Sequence, residues 1–345
     1  MTDGPNGERF LVTGALGCIG AWTVRTLIRE GVPVVAFDMG RDPRRIAQIV
    51  DPDDLERVTF VAGDITDLGA LERALDEHGI TNVIHLAALQ VPFCRADPPL
   101  GAQVNVTGTV NVFEAVRRVV GPRHEPMAPV VYTGSIGMYS LTDVDPVTGR
   151  LEEDAEAHPG NHYGVYKRAN EGTARLYWTD SGVPSVGLRP MTVYGVGRDQ
   201  GMTSTPTVAV AAALLGIPYE ISFGGRTLFQ YAPDVARTLI LASRSQGDGA
   251  RVYNLGGEVV DLTDWVAVIE DVIPGSAGSI TIAQTELPFP SDIAHDRIAD
   301  LGAVPVTPYR NAIEETAAIY RRLAGEGRLI ATEQGVPTPA AAAGS

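Results

Sequence analysis

The sequence predicts an α/β fold: a doubly wound parallel sheet covered by helices on both faces, followed by a smaller C-terminal lobe that binds substrate. Three observations predict it. Short β-branched runs alternate with amphipathic stretches through the first half of the chain. Glycine or proline punctuates most of the junctions between them. Beyond residue 190 the texture changes, and glycine, proline and threonine become frequent between 195 and 230. Runs that are apolar throughout suit strands buried on both faces, and alternation with helices is how parallel strands are joined.

The elements follow in order. "RFLVTG" (9–14), "PVVAFD" (33–38), "RVTFVAGD" (57–64), "NVIHLAA" (82–88) and "PVVYTGS" (129–135) read as buried strands. Between them, "AWTVRTLIREG", "DLGALERALDEHG" and "GAQVNVTGTVNVFEAVRRVV" place apolar residues at helical spacing. "VPSVGLRP" (183–190) closes this regular part. The domain reading is therefore residues 1–190 for the sheet domain and 191–330 for the smaller lobe, with the chain free to cross between them. Residues 331–345, ending "TPAAAAGS", read as a disordered tail.

Composition limits the partners. A chain of 345 residues with 44% hydrophobic content can bury a large core. A net charge of −15 argues against nucleic acid or an acidic membrane surface as a partner, since both need a basic footprint. Cys18 and Cys94 show neither metal-ligand spacing nor a disulfide framework, so no metal is expected. The longest apolar-rich run, "VAVAAALLGI" (208–217), is too short to span a bilayer, and "MTDGPNGERF" lacks an apolar signal core. A cytoplasmic location is the expectation.

"LVTGALGCIG" places Gly14, Gly17 and Gly20, with Cys18 and Ile19 between the last two, in the turn from the first strand to the first helix. Such a loop lets backbone N–H groups approach a pyrophosphate at a helix N-terminus. Asp38 ends the second strand, eighteen residues after Gly20. A carboxylate there accepts both hydroxyls of an adenosine ribose and repels a 2′-phosphate, which selects NAD over NADP. Nearby Arg41, Arg44 and Arg45 soften that exclusion.

This glycine spacing, Thr13 to Gly20, resembles the short-chain dehydrogenase/reductase superfamily, a Rossmann-type fold. Later motifs resemble its extended branch, the NAD-dependent epimerase/dehydratase family: "GDITD" (63–67), "HLAA" (85–88), "VYTGSIGMY" (131–139), "YGVYK" (163–167), "LRPMTVYG" (188–195), "PDVA" (233–236) and "YNLGG" (253–257). The resemblance runs from about residue 8 to 320 with the motifs in the family's order. It implies that Asp64 and Ile65 flank the adenine, that Leu86, Ala87 and Ala88 line the cofactor, and that Asn105 supports the site. Pro190 and Val193, in "LRPMTVYG", are implied to reach the cofactor as well. His85 reads as a satisfied strand-end histidine. A homodimer through the helices near 102–119 and 163–180 is also implied.

Tyr163 and Lys167, the chain's only lysine, are four residues apart and share a helix face. Oxidising a secondary alcohol requires removal of the hydroxyl proton as hydride leaves carbon. A phenol titrating near 10 is a poor base at neutral pH unless positive charge stands beside it. An ammonium is compact enough to bond ribose hydroxyls and still polarise the phenol; a guanidinium is a wider fork. The assignment is Tyr163 as acid/base and Lys167 as anchor and tuner. The resemblance adds Ser135 as the hydroxyl that orients the substrate oxygen. Tyr166 adjoins Lys167 but on the wrong face.

Absences narrow the chemistry. Dehydrating relatives carry an Asp–Glu pair directly after the serine position, where this chain has Ile136 and Gly137. Nucleotide-sugar relatives place an arginine seven residues before the position of Asp234, where this chain has Thr227, with Arg226 one step off. A second arginine usually found before the last helices is replaced by "LPFPSD" (287–292). A diphosphate needs such charge-assisted bonds. The expectation is therefore an NAD-dependent dehydrogenase or epimerase acting on a carbohydrate-like secondary alcohol: a free sugar, sugar acid or polyol. Arg198 and Arg226 are the candidate substrate contacts. A UDP-sugar epimerase that keeps its NAD, and a non-catalytic NAD sensor, remain as alternatives.

Overall fold

The computed structural model describes residues 7–124, 127–331 and 337–339. The strands are β1 (Phe10–Thr13), β2 (Val34–Asp38), β3 (Thr59–Ala62), β4 (Asn82–His85), β5 (Val130–Thr133), β6 (Ser185–Arg189), β7 (Thr192–Tyr194), β8 (Tyr219–Ile221), β9 (Arg226–Tyr231), β10 (Ala250–Asn254), β11 (Glu258–Asp261), β12 (Ile280–Ile282), β13 (Leu329–Ala331) and β14 (Pro337–Pro339). Seven of them form one parallel sheet in the order β10-β6-β5-β4-β1-β2-β3. The winding direction reverses between β1 and β4, which opens a crevice at the C-terminal strand ends.

Both faces of the central strands are buried, as their uninterrupted apolar runs require; β3, read in the sequence as a buried strand, is instead the sheet's edge, with no residue buried and Phe60 exposed. On β1, Phe10 and Val12 enter one core while Leu11 enters the other. The helices are α1 (Cys18–Arg29), α2 (Arg44–Ile49), α3 (Pro52–Leu55), α4 (Leu68–Glu77), α5 (Val91–Ala96), α6 (Pro98–Ala102), α7 (Gly108–Ala115), α8 (His162–Ser181), α9 (Thr205–Leu215), α10 (Ala232–Arg244), α11 (Leu262–Val272) and α12 (Tyr309–Gly325). α1 and α10 pack together on one face; α4 and α7 pack together on the other, where Leu71, Val112 and Phe113 join the second core. Two π turns, Gln103–Thr107 and Val116–Val120, interrupt the helical run that begins at Pro98.

A second sheet, β11-β9-β7, and a pair, β12-β8, build the smaller lobe. Its centre is aromatic: Phe229 stacks on Trp265 at 4.2 Å, and Tyr194 meets Trp265 edge-on at 4.8 Å. α9, the "VAVAAALL" helix, is buried through Pro206–Ala213 and stops at Gly216 in the left-handed region (φ 68°). It is an internal helix, and no helix among the described residues is long and apolar enough to cross a membrane. The chain crosses between the lobes: α10 covers the main sheet and β10 is its edge strand beside β6. β13 and β14 form a short antiparallel ladder, and the rest of the tail expected over 331–345 lies outside the described residues.

Candidate active site

The crevice holds a cavity of about 700 Å³. Its floor is the turn after β1. Gly14 has φ 69°, and a Cβ there would stand 2.6 Å from the Ala87 nitrogen. Gly20 lets α1 lie against the turn: its Cβ would fall 2.3 Å from the Gly14 carbonyl oxygen. Gly17, Cys18, Ile19 and Gly20 line the cavity, so the opening turn of α1 points its free N–H groups toward it. Burial pushes the Cys18 thiol up to about 12, so it is no thiolate. Asp38 lies at the end of β2. Its Oδ2 accepts from the Leu16 N–H (3.0 Å) and its Oδ1 from the Gly40 N–H (2.9 Å). Each oxygen keeps a lone pair for a ribose hydroxyl.

Asp64, Ile65, Leu86, Ala87, Ala88, Pro190 and Val193 all line the same cavity. Asn105 does not; it lies buried behind the wall, inside the first π turn. Its Oδ1 accepts from the Leu89 N–H (2.7 Å) and its Nδ2 donates to the Leu89 carbonyl (2.9 Å), which fixes the peptide after Ala88. Its own carbonyl accepts from Thr109 Oγ1 (2.7 Å) and Asn170 Nδ2 (2.9 Å). His85 is satisfied: Nδ1 meets Thr13 Oγ1 at 2.7 Å and Nε2 meets Thr109 Oγ1 at 3.1 Å. The Thr109 proton is spent on the Asn105 carbonyl, so Nε2 carries the imidazole hydrogen and Nδ1 accepts from Thr13. Burial, and then Lys167, hold His85 down to about 3.

Tyr163 and Lys167 stand on the first turns of α8, whose N-cap Asn161 accepts from the Gly164 N–H (2.9 Å). Asparagine just before a helical run is a start signal legible in sequence. Lys167 is 4% exposed. Its Nζ donates to the Thr133 carbonyl (2.7 Å) and lies 5.6 Å from the Tyr163 ring centroid. Burial lowers its titration to about 8. Burial raises the Tyr163 phenol; a hydrogen bond from Ser135 and the charge of Arg198 oppose that rise. Ser135 Oγ accepts from the Gly137 N–H (2.9 Å), which orients the hydroxyl. Tyr166 donates to the Pro98 carbonyl (2.8 Å) and pins α8 to α6.

Arg198 reaches the cavity from the loop before α9. Its Nη2 donates to Thr203 Oγ1 (3.1 Å), and its Nε is buried without a partner. That its charge reaches the phenol was invisible in sequence, because 35 residues separate them. Arg226 is brought nowhere near the site. It is exposed at the start of β9, while Thr227 turns inward and bonds Thr192 Oγ1 (2.8 Å). Strand alternation forces the two side chains to opposite faces. Arg41, Arg44 and Arg45 line the cavity beyond Asp38. Met191, within "LRPMTVYG", Phe289, within "LPFPSD", and Met202 also line it, though the sequence assigned none of them a role. No cluster able to hold a metal occurs among the described residues.

The residues fit a dinucleotide. The Gly14 cradle would be filled by any side chain, Asp38 has acceptors to spare, and Lys167 keeps two N–H groups beyond its bond to Thr133. Strand order, glycine loop and the Ser135–Tyr163–Lys167 cluster define an NAD-dependent enzyme of the Rossmann type. The profile of the NAD dependent epimerase/dehydratase family matches residues 10–256, and the chain belongs to that family. It is 30% identical over 292 residues to UDP-glucuronate 4-epimerase 2 of Arabidopsis thaliana, covering 78% of this chain and 64% of that protein's length. UDP-glucose 4-epimerase of Mycolicibacterium smegmatis is 29% identical, with 91% and 98% covered. The solved UDP-glucose 4-epimerase of Thermus thermophilus, in complex with NAD, superposes with a TM-score of 0.74 at 25% identity, with 91% and 99% covered.

Proposed function

We propose that this enzyme oxidises a secondary alcohol of a compact carbohydrate-like substrate, and that a sugar acid fits the site best among free sugars, sugar acids and polyols. One observation carries the reading: Ser135, Tyr163 and Lys167 line one cavity with Arg198, a cation that has no acidic partner among the described residues. NAD, when bound, supplies the hydride acceptor. Tyr163 takes the hydroxyl proton. Ser135, its oxygen fixed by the Gly137 N–H, turns its one proton from the Tyr163 oxygen to the substrate oxygen when substrate enters. Lys167 holds the ribose and adds positive charge beside the phenol. Arg198 meets a carboxylate on the substrate, and in the free enzyme its charge opposes the rise that burial imposes on the phenol.

The neighbouring positions support a small substrate. Ile136 is fully buried, and Gly137 packs against the Tyr163 ring, so neither place holds a carboxylate for eliminating water. Thr227 is buried where nucleotide-sugar relatives carry an arginine. The names of the plant and bacterial relatives favour a second reading, a UDP-sugar 4-epimerase. The same proposal includes a cytoplasmic homodimer joined through the helices near 102–119 and 163–180; exposed Val165 and Leu176 on α8 support that face.

The test is a panel of free sugars, sugar acids and nucleotide sugars, followed by NADH absorbance and product analysis. A dehydrogenase accumulates NADH with a sugar acid; an epimerase interconverts a UDP-sugar and accumulates none. UDP should shift the melting temperature little, and a large shift at modest UDP would establish the second reading instead. Tyr163→Phe should lower turnover by roughly 10²–10⁴-fold with little change in NAD affinity.

A further inference from the structure

Arg198 is followed directly by a carboxylate, Asp199, yet the two are not paired. Asp199 turns away to Arg45, on the helix after β2. Arg45 Nη2 and Nε reach Asp199 Oδ1 at 2.6 and 3.2 Å, and Arg45 Nη1 donates to the Leu16 carbonyl at 3.0 Å. Both side chains of the pair are mostly buried, 17% and 15% exposed. The Arg45 stem lies against Gly197, where a Cβ would stand 3.6 Å from Arg45 Cδ. Arg45 thus joins the glycine loop to the loop that carries Arg198. Trp22 strengthens the junction by donating to the Val196 carbonyl (2.9 Å).

The three charges compete. A buried guanidinium with an unpartnered Nε is the strongest available partner for a neighbouring carboxylate. The field of Asp199 and the opposing field of Arg45 both reach Arg198. With Arg45 in place they offset each other, and one uncompensated positive charge remains at the cavity wall near Tyr163. Without Arg45, Asp199 would be an unpaired carboxylate beside an unpaired guanidinium.

We infer that Arg45 is a positioning residue for substrate recognition: by binding Asp199 it keeps that carboxylate off Arg198, which stays open to an anionic group on the substrate. The inference rests on the reading of Arg198 given above. It also makes the cofactor-side loop a determinant of substrate charge, and it commits Arg45 to a bond that a 2′-phosphate would have to break.

The experiment has two arms, both on NAD-loaded protein. The first is the crystal structure of Arg45→Leu, with Arg45→Gln as the milder replacement if the leucine variant does not fold. Asp199 should turn to within ion-pair distance of Arg198; an Asp199 that stays away overturns the inference without reference to any substrate. The second is calorimetric binding of D-glucuronate as the probe acid. Arg198→Met should abolish binding, and Arg45→Leu should weaken it by roughly tenfold, the scale of one charge-assisted contact. Adding Asp199→Asn to Arg45→Leu should recover most of the loss, because no acid remains to quench Arg198. A double variant as weak as Arg45→Leu would show that Arg45 acts through shape alone, and the inference would fall. Absent wild-type binding, or binding unaffected by Arg198→Met, would instead refute the sugar-acid reading and leave the first arm to decide the role of Arg45.

Discussion

Lys167 carries a cost in stability that its proposed role at the cofactor explains. It is an ammonium at 4% exposure with one protein acceptor, the Thr133 carbonyl. Burial lowers its titration from 10.5 to about 8, so below pH 8 the folded chain holds a charge it would hold more easily unfolded. Lys167→Met keeps the length and removes the charge. The cofactor-free variant should be more stable at pH 7, by roughly 1 kcal/mol, while turnover collapses. The wild-type gain in stability between pH 8 and 10.5 should vanish in the variant, as melting curves would show. His85 has the opposite pH window. Unfolded, it takes a proton near 6.5; folded, it refuses one until about 3. Stability is therefore full above pH 6.5 and falls as pH drops toward 3. His85→Asn should flatten that slope between about pH 6.5 and 4.5, above the range where carboxylates titrate. Tyr163 and Lys167 were legible because four residues on a helix is a local relation. The Arg198 charge on Tyr163 was not, since only tertiary folding brings it there.

Among elements, the glycine turn and the long helix that carries Tyr163 respond to substitution in opposite ways. Gly20→Ala would place a methyl 2.3 Å from the Gly14 carbonyl and 2.7 Å from Ala15 Cα, both backbone. The turn must open, at a stability cost of roughly 1–3 kcal/mol, and NAD titration should show weaker binding. Gly172→Ala in α8 meets nothing within 4 Å in its own chain and should stabilise the monomer by roughly 0.5–1 kcal/mol through helix propensity. Reversed signs in thermal melts would contradict both accounts. The five predicted strands contain β1 to β5 with a few residues trimmed at the ends; four are buried runs, which signal themselves locally, while β3 keeps its strand character at the edge without being buried. α1 begins three residues earlier than "AWTVRTLIREG" suggests, since Gly17 supplies the cap and its carbonyl receives the Ala21 N–H (2.9 Å). The two π turns were not legible: they leave the apolar spacing almost unchanged, while the Asn105 carbonyl in the first takes two side-chain donors. β7, β8 and β12 have three residues each, too few for a pattern, and owe their strand character to their partners.

The whole molecule is less divided than its sequence. A change of texture at residue 190 is visible, but the return of α10 and β10 to the first sheet is not, because "ARVYN" reads like any short strand. Arg244 shows how firm that return is: it pairs with Glu8 (2.8 Å) and Glu30 (2.7 Å), more than two hundred residues earlier. The β10 ladder runs from Ala250↔Ser185 to Asn254↔Arg189. Without it, β6, buried at all five positions, would present a bare sheet edge. Consider this on the ribosome. A growing chain that has released residues 1–200 owns every proposed catalytic residue and the entire glycine loop, yet neither the cover for α1 nor the last strand of its sheet. It should remain sticky and unable to hold NAD until synthesis has passed residue 254. A purified 1–200 fragment should aggregate and bind NAD poorly, and a chain ending at 331 should bind it as the full protein does. A soluble, NAD-binding 1–200 fragment would mean that the sheet is complete without its last strand. An aggregating fragment would mean instead that the cofactor enters late, as a ligand of the nearly finished polypeptide.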